Sequence, residues 1–170
     1  MSNLAYDASA DIEAASETEI AAMRELRPVP RISIQAFCET ESIAAPIERA
    51  AADRRMSKAH LKVHMGGIGT AIEFYQSAQT PNLIIVESRD EPKQLIATLS
   101  RLAEVCDPSS KVVVIGHYND VWLYRELIRF GISEYVVAPI SMADILSVIS
   151  SSAIRISRRA RCMPTHRCGP

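Results

Sequence analysis

Across 170 residues the chain is 48% hydrophobic and 23% charged, with a mean hydropathy of +0.03 and a net charge of -1. That balance fits one globular domain with some tail, excludes a disordered or fibrous chain, and gives no bulk positive field for nucleic acid. No apolar run is long enough for a spanning helix, the acidic, small-residue opening is not a secretory signal, and four irregularly spaced cysteines indicate a reducing compartment rather than a disulfide framework.

Charge is unevenly spread. Residues 1–27 hold six acidic and two basic side chains, while residues 151–170 hold five arginines and no acid. Residues 1–30 read as an acidic leader, in which Glu17–Leu26 suits a short helix with few large apolar anchors. Pro28 and Pro30 then break the chain.

From Arg31 to Ser157 two textures alternate. Ile32, Ile34, Ala36 and Phe37 make a strand-like run, and Ser42–Arg55 is an Ala-rich helix with Ile43, Ile47 and Ala51 on one face and Pro46 near its first turn. His60–Met65 alternates as an edge strand, with His60 and His64 on its wet side. Gly66, Gly67 and Gly69 mark a turn, and Thr70–Ala78 a short helix. Leu83–Val86 is a continuous apolar run, as in a strand covered on both faces. Leu95, Leu99, Leu102 and Cys106 follow at helical spacing.

Val112–Ile115 is a second β-branched run. Val121–Phe130 is helical through Leu123, Leu127 and Ile128, with Gly131 at its C-cap. Tyr135–Val137 is a short strand before Pro139, and Ser141 and Asp144 form a capping-box-like start to a helix through Ile145, Val148 and Ile149. Five strictly alternating βα units predict an α/β fold: a three-layer α/β/α sandwich whose five-stranded parallel sheet has the order 2-1-3-4-5. Residues 158–170 read as a basic linker or truncated tail.

Two segments carry a resemblance. PNLIIVE, Pro81–Glu87, resembles the segment of response-regulator receiver domains that ends on the phosphoaccepting aspartate; GISEYVVAP, Gly131–Pro139, resembles their stretch from a helix-ending glycine to an aromatic, lysine and proline. The resemblance implies the flavodoxin-like receiver fold with a degenerate site. Glu87 stands at the phosphoacceptor position, Ala36 and Phe37 at the metal-holding acidic pair, Gly116 at the switch hydroxyl and Ala138 at the lysine; the aromatic switch residue, Tyr135, is kept. A shifted first-strand register brings only Glu39 and Glu41 nearby. Magnesium needs several oxygen ligands, and a transferring phosphoryl group needs cations and donors, which these side chains do not supply. No metal, no cofactor and no catalysis are therefore expected. Glu87 is either a fixed-charge mimic of a switched state or a solvated strand-end carboxylate near Arg89, and a phosphorylatable receiver signalling through Glu87 is the alternative.

The opening PVPRISIQAF, the degenerate site and the basic tail together resemble the N-terminal domain of the CpaE family of Flp/Tad pilus assembly proteins. That implies a pseudo-receiver serving protein interaction or localisation, linked to a ParA/MinD-like ATPase whose nucleotide-binding loop has no counterpart here. Implied partners are proteins of the pilus assembly or secretion machinery, a second copy of the chain among them, with no nucleic acid. The implied place is cytoplasmic, at a cell pole or against the inner membrane. Trp122, Tyr124 and Tyr135 are the candidate interaction face, since aromatics are enriched at hot spots. Lesser candidates are His117, for which the spacing offers no orienting partner; a single loose Cys162, His166 and Cys168 cluster, short of the paired clusters of zinc sites; and Arg155, Arg158, Arg159 and Arg161, which read as a solvated linker.

Overall fold

The computed structural model describes residues 28–161, with side chains to 157. The leader helix expected at Glu17–Leu26 and the Cys162, His166 and Cys168 cluster lie outside the described residues.

Five strands form one parallel sheet: β1 (Ser33–Cys38), β2 (His60–Met65), β3 (Leu83–Glu87), β4 (Lys111–Gly116) and β5 (Glu134–Val137), in the order β2-β1-β3-β4-β5. Five helices connect and follow them: α1 (Glu41–Ala51), α2 (Gly67–Tyr75), α3 (Pro92–Val105), α4 (Val121–Phe130) and α5 (Met142–Arg161). The expected architecture and strand order are observed, and the fold is that of a receiver domain. The period of two along β3 divides the core. Leu83 and Ile85 pack with Ile43 and Ile47 of α1 and Ile145 and Ile149 of α5. Ile84 and Val86 face the other way, onto Ile68 of α2, Leu99 of α3 and Leu123 of α4. Because β3 is buried on both faces, it reads as an unbroken apolar run.

Local signals explain most boundaries. At the start of α5, Asp144 Oδ2 accepts from the Ser141 N–H and hydroxyl, both at 2.8 Å, and Ser141 Oγ accepts from the Asp144 N–H. Gly131, at φ 99°, closes α4 in the left-handed conformation. The Asp120 carboxylate accepts from the N–H groups of Trp122 and Leu123 at the other end of α4.

Four expectations need correction. The helix after β1 ends at Ala51 rather than Arg55, because Asp53 caps a separate 3-10 turn, Arg54–Met56, by accepting the Arg55 N–H. Pro46 lies beyond the first turn of α1, where the bond to the Ser42 carbonyl is lost. The glycines after β2 belong to α2 itself: Gly66 (φ 124°) is its N-cap and Gly67 (φ 63°) its first residue. Val29, placed by sequence in the leader, is buried and donates its N–H to the Arg55 carbonyl.

Candidate functional site

The carboxyl ends of parallel strands leave loops and helix N-termini facing one crevice, where such sheets present their ligand sites. Glu87 is the last residue of β3 and points into that crevice, yet it is fully buried. Its Oε2 accepts the backbone N–H of Glu39 at 2.8 Å and of Thr40 at 2.9 Å. Its Oε1 accepts the Thr40 hydroxyl at 2.8 Å and lies 3.1 Å from His117 Nε2. A carboxylate offers about four lone-pair positions, and four donors meet them here. The solvated carboxylate near Arg89 is therefore corrected: the partners of Glu87 come from the β1–α1 loop and the end of β4, and the Arg89 backbone N–H serves Glu39.

Each donor is committed. The Thr40 hydroxyl has one proton, which goes to Glu87, so Ser42 Oγ donates to Thr40 Oγ1 at 3.1 Å. Thr40 is also the N-cap of α1, but its side chain makes no capping bond, since it is turned toward Glu87. His117 must present a protonated Nε2 to the carboxylate, which fixes its tautomer and leaves Nδ1 the free ring nitrogen. No partner for His117 was readable from spacing because the pair is thirty residues apart. Its detectable signal was position alone: Glu87 pairs with Ile115 across β3 and β4, two residues before His117.

Glu39 lies beside this cluster. Burial first, then the charges of Glu87 and Asp90, raise its pKa above the usual carboxylate range. Its side chain covers Gly67 so closely that a Cβ there would clash with Glu39 Cγ. Burial, followed by the charges of Glu87 and Glu48, pushes the Cys38 thiol up to about 12, far from a reactive thiolate.

Ala36 and Phe37 do not reach the site. Both are buried within β1, Ala36 on the α1/α5 side and Phe37 on the other, where its ring stacks on His64 at 4.9 Å. His64 is accordingly no wet-side residue. The residues that meet Glu87 are Glu39 and Thr40, in the loop that follows β1. Gly116 closes β4, and the space a Cβ would take is occupied by the Tyr135 ring. Tyr135 is buried and donates its hydroxyl to the Tyr118 carbonyl at 2.8 Å. Ala138 gives its N–H to the Gly116 carbonyl and its side chain to the core.

The magnesium ion that receivers use does not fit this arrangement. Its anchoring carboxylate would be Glu87, whose acceptor positions are filled. Among the described residues no three His, Cys, Asp or Glu side chains are grouped to hold a metal.

A second feature lies on α4. Trp122 and Tyr124 are exposed, together with Val121, Ile128 and Phe130. One expectation changes: Tyr135 is buried beneath this face, and of the residues recurring along the helix Leu123 and Leu127 are buried while Ile128 is on the surface. A cleft of about 160 Å³ separates α4 from β5, lined by Val121, Tyr124, Tyr135 and Val137 among others. No described helix is long and apolar enough to cross a membrane.

No model of a known protein family matches the chain, and no curated protein matches it. Solved structures do. The chain is similar to the pilus assembly protein CpaE of Caulobacter crescentus, with 46% identity over 74% of this chain and 95% of that one, at a TM-score of 0.71. It is similar to a CpaE2 pilus assembly protein of Sinorhizobium meliloti, with 39% identity over 71% of this chain and 98% of that one, at a TM-score of 0.68. The receiver domain of a LuxO repressor protein from Vibrio parahaemolyticus shares the fold at 17% identity and a TM-score of 0.63, over 77% of this chain and 96% of that one.

Proposed function

The chain belongs to the CpaE family of pilus assembly proteins, and from that premise we propose that it is a non-catalytic pseudo-receiver that works in pilus assembly by binding proteins rather than by accepting phosphate. The observation that carries this reading is the saturation of Glu87. To attack a phosphoryl donor, a carboxylate oxygen needs a free lone pair and an open approach. Here both oxygens are engaged and the group has no exposed surface. The site also lacks a lysine at Ala138 and a hydroxyl at Gly116 to neutralise or bind the transferring oxygens.

With the chemistry gone, contact surface is what the scaffold has left to offer. The α4 face, centred on Trp122 and Tyr124, is where we place the docking of assembly or secretion proteins or of a second copy. The family likeness further supports a domain that regulates or positions a ParA/MinD-like ATPase on the cytoplasmic side of the inner membrane. The direct test is incubation with acetyl phosphate and magnesium followed by intact mass. The expected result is no change, and a stoichiometric gain of one phosphate on Glu87 defeats the proposal.

A further inference from the structure

Two clefts adjoin at the amino ends of β3 and β4, on the rim opposite Glu87. A polar cleft of about 490 Å³ runs past Thr80 and Asn82. An apolar cleft of about 320 Å³ opens between the carboxyl ends of α3 and α4, with Ala103, Val112, Phe130 and Ile132 in its walls. Cys106, Asp107 and Ser110 border both. Such volumes fall in the range of binding clefts.

The shared border is rich in acceptors. A helix leaves its last carbonyls without partners in the helix, and the residues that follow usually supply the missing N–H groups. After α3 only one is supplied, from Cys106 to the Leu102 carbonyl. Asp107 gives its N–H to the Thr80 hydroxyl at 3.2 Å, Pro108 has none, Ser109 gives its own to Asp107 Oδ1 at 2.7 Å, and Ser110 serves the Asp107 carbonyl. The carbonyls of Ala103, Glu104 and Val105 thus receive no N–H from the described residues. Asp107 is the one charged side chain in the lining of either cleft. The side chain and N–H of Ser109 hold its carboxyl below the usual carboxylate range, so it is ionised at neutral pH. The basic groups nearby turn elsewhere. Lys111 belongs with Val113 and Ile115 to the alternate residues of β4 that face α1 and α5, away from Val112. Arg129 is bound to Glu126.

We propose that these clefts dock a basic, amphipathic segment of a partner protein. One apolar side chain of that segment enters the apolar cleft, and an adjacent lysine or arginine meets Asp107 and the uncapped end of α3. Charge complementarity selects this occupant. A cation is stabilised at the carboxyl end of a helix and beside an ionised carboxylate, where an acidic segment is repelled. The polar cleft selects a peptide over a free amine. Asn82 spends its side-chain carbonyl on the Ser33 N–H and hydroxyl, which leaves its amide nitrogen to donate to a peptide carbonyl.

The test titrates the full, isotope-labelled chain by amide NMR. The probes are blocked tetrapeptides of leucine with arginine, glutamine or glutamate at the second position, and n-hexylammonium chloride. The arginine peptide is expected to shift the amides of Cys106, Asp107 and Ile132 and to bind ~tenfold more tightly than the glutamate peptide at low salt, with the difference shrinking as salt rises. Asp107→Asn keeps an oxygen for the Ser109 N–H and should weaken the arginine peptide ~threefold. Ala103→Phe, at an exposed position of α3, should fill the apolar cleft and abolish the shifts. Equal binding of the three peptides, shifts centred on Trp122 or on the Glu87 crevice, tighter binding of n-hexylammonium than of the arginine peptide, or binding unchanged in both variants each overturn the proposal.

Discussion

At the scale of single residues, Glu87 and Glu39 are neighbours with opposite energetic roles. Glu87 is buried but met by four donors, so its charge is compensated by hydrogen bonds. Glu87→Gln keeps the shape but turns an amide NH2 toward groups that are themselves donors. We expect a loss of about 1–3 kcal/mol in urea unfolding, the scale for buried groups left unsatisfied. An unchanged midpoint would contradict the network. Glu39 is the reverse case: its folded-state pKa lies above its ordinary 4.5, chiefly through burial. The folded protein then holds that proton more tightly than the unfolded chain, so stability rises as pH falls through the raised value toward 4.5. Glu39→Gln is expected to stabilise the protein at pH 7, with an advantage that disappears across that window in a pH series of urea midpoints. Asp53 has the opposite sign. The Arg55 guanidinium bond holds it down at about 2, so the stability it adds is present above the ordinary 3.8 and is lost as pH falls through about 2. In the same pH series, Asp53→Asn should flatten the acid limb.

Among elements, the end of β4 and the body of β5 are fitted to one another by an absence. Gly116 leaves room that the Tyr135 ring fills, and the hydroxyl reaches the Tyr118 carbonyl. Gly116→Ala therefore forces the ring to shift and breaks that bond, at an expected cost of about 1–3 kcal/mol. Adding Tyr135→Ala should recover part of the loss, because the obstacle is gone; a strictly additive double mutant would show that the two positions are not coupled. Arg155 of α5 donates Nη1 to the Ser133 carbonyl at 2.9 Å, which ties the last helix to the residue that precedes β5. These fits were hard to read from sequence. The elements themselves were legible, since period two along β2, unbroken apolar runs in β3 and β4, and the Ser141–Asp144 and Gly131 caps are local signals. The first-strand register was not, because Ile32–Phe37 and Ser33–Cys38 satisfy the same alternation. The acidic pair was expected at Ala36 and Phe37, whereas the residues that meet Glu87 are Glu39 and Thr40, just past the end of β1. His117 with Glu87 and Tyr135 with Gly116 are tertiary pairs, which no spacing within one element encodes.

For the molecule as a whole, one sheet carries two cores. The cluster under α1 and α5 and the cluster under α2, α3 and α4 share no helix, yet both are built on alternate residues of β3 and β4. Losing either cluster exposes one face of strands whose other face is apolar, so neither half can persist alone. Ile47 of α1 and Leu99 of α3 probe the two sides, and both are almost wholly buried. Ile47→Ala and Leu99→Ala should each cost about 2–5 kcal/mol, the usual price of a large cavity in a packed core. Both should move a single transition, seen at the same denaturant concentration by far-ultraviolet circular dichroism and by the emission of Trp122, the one tryptophan. A variant that splits the curve, with Trp122 reporting one step and the helices of the other face a second, would mean that the sheet does not couple its two sides.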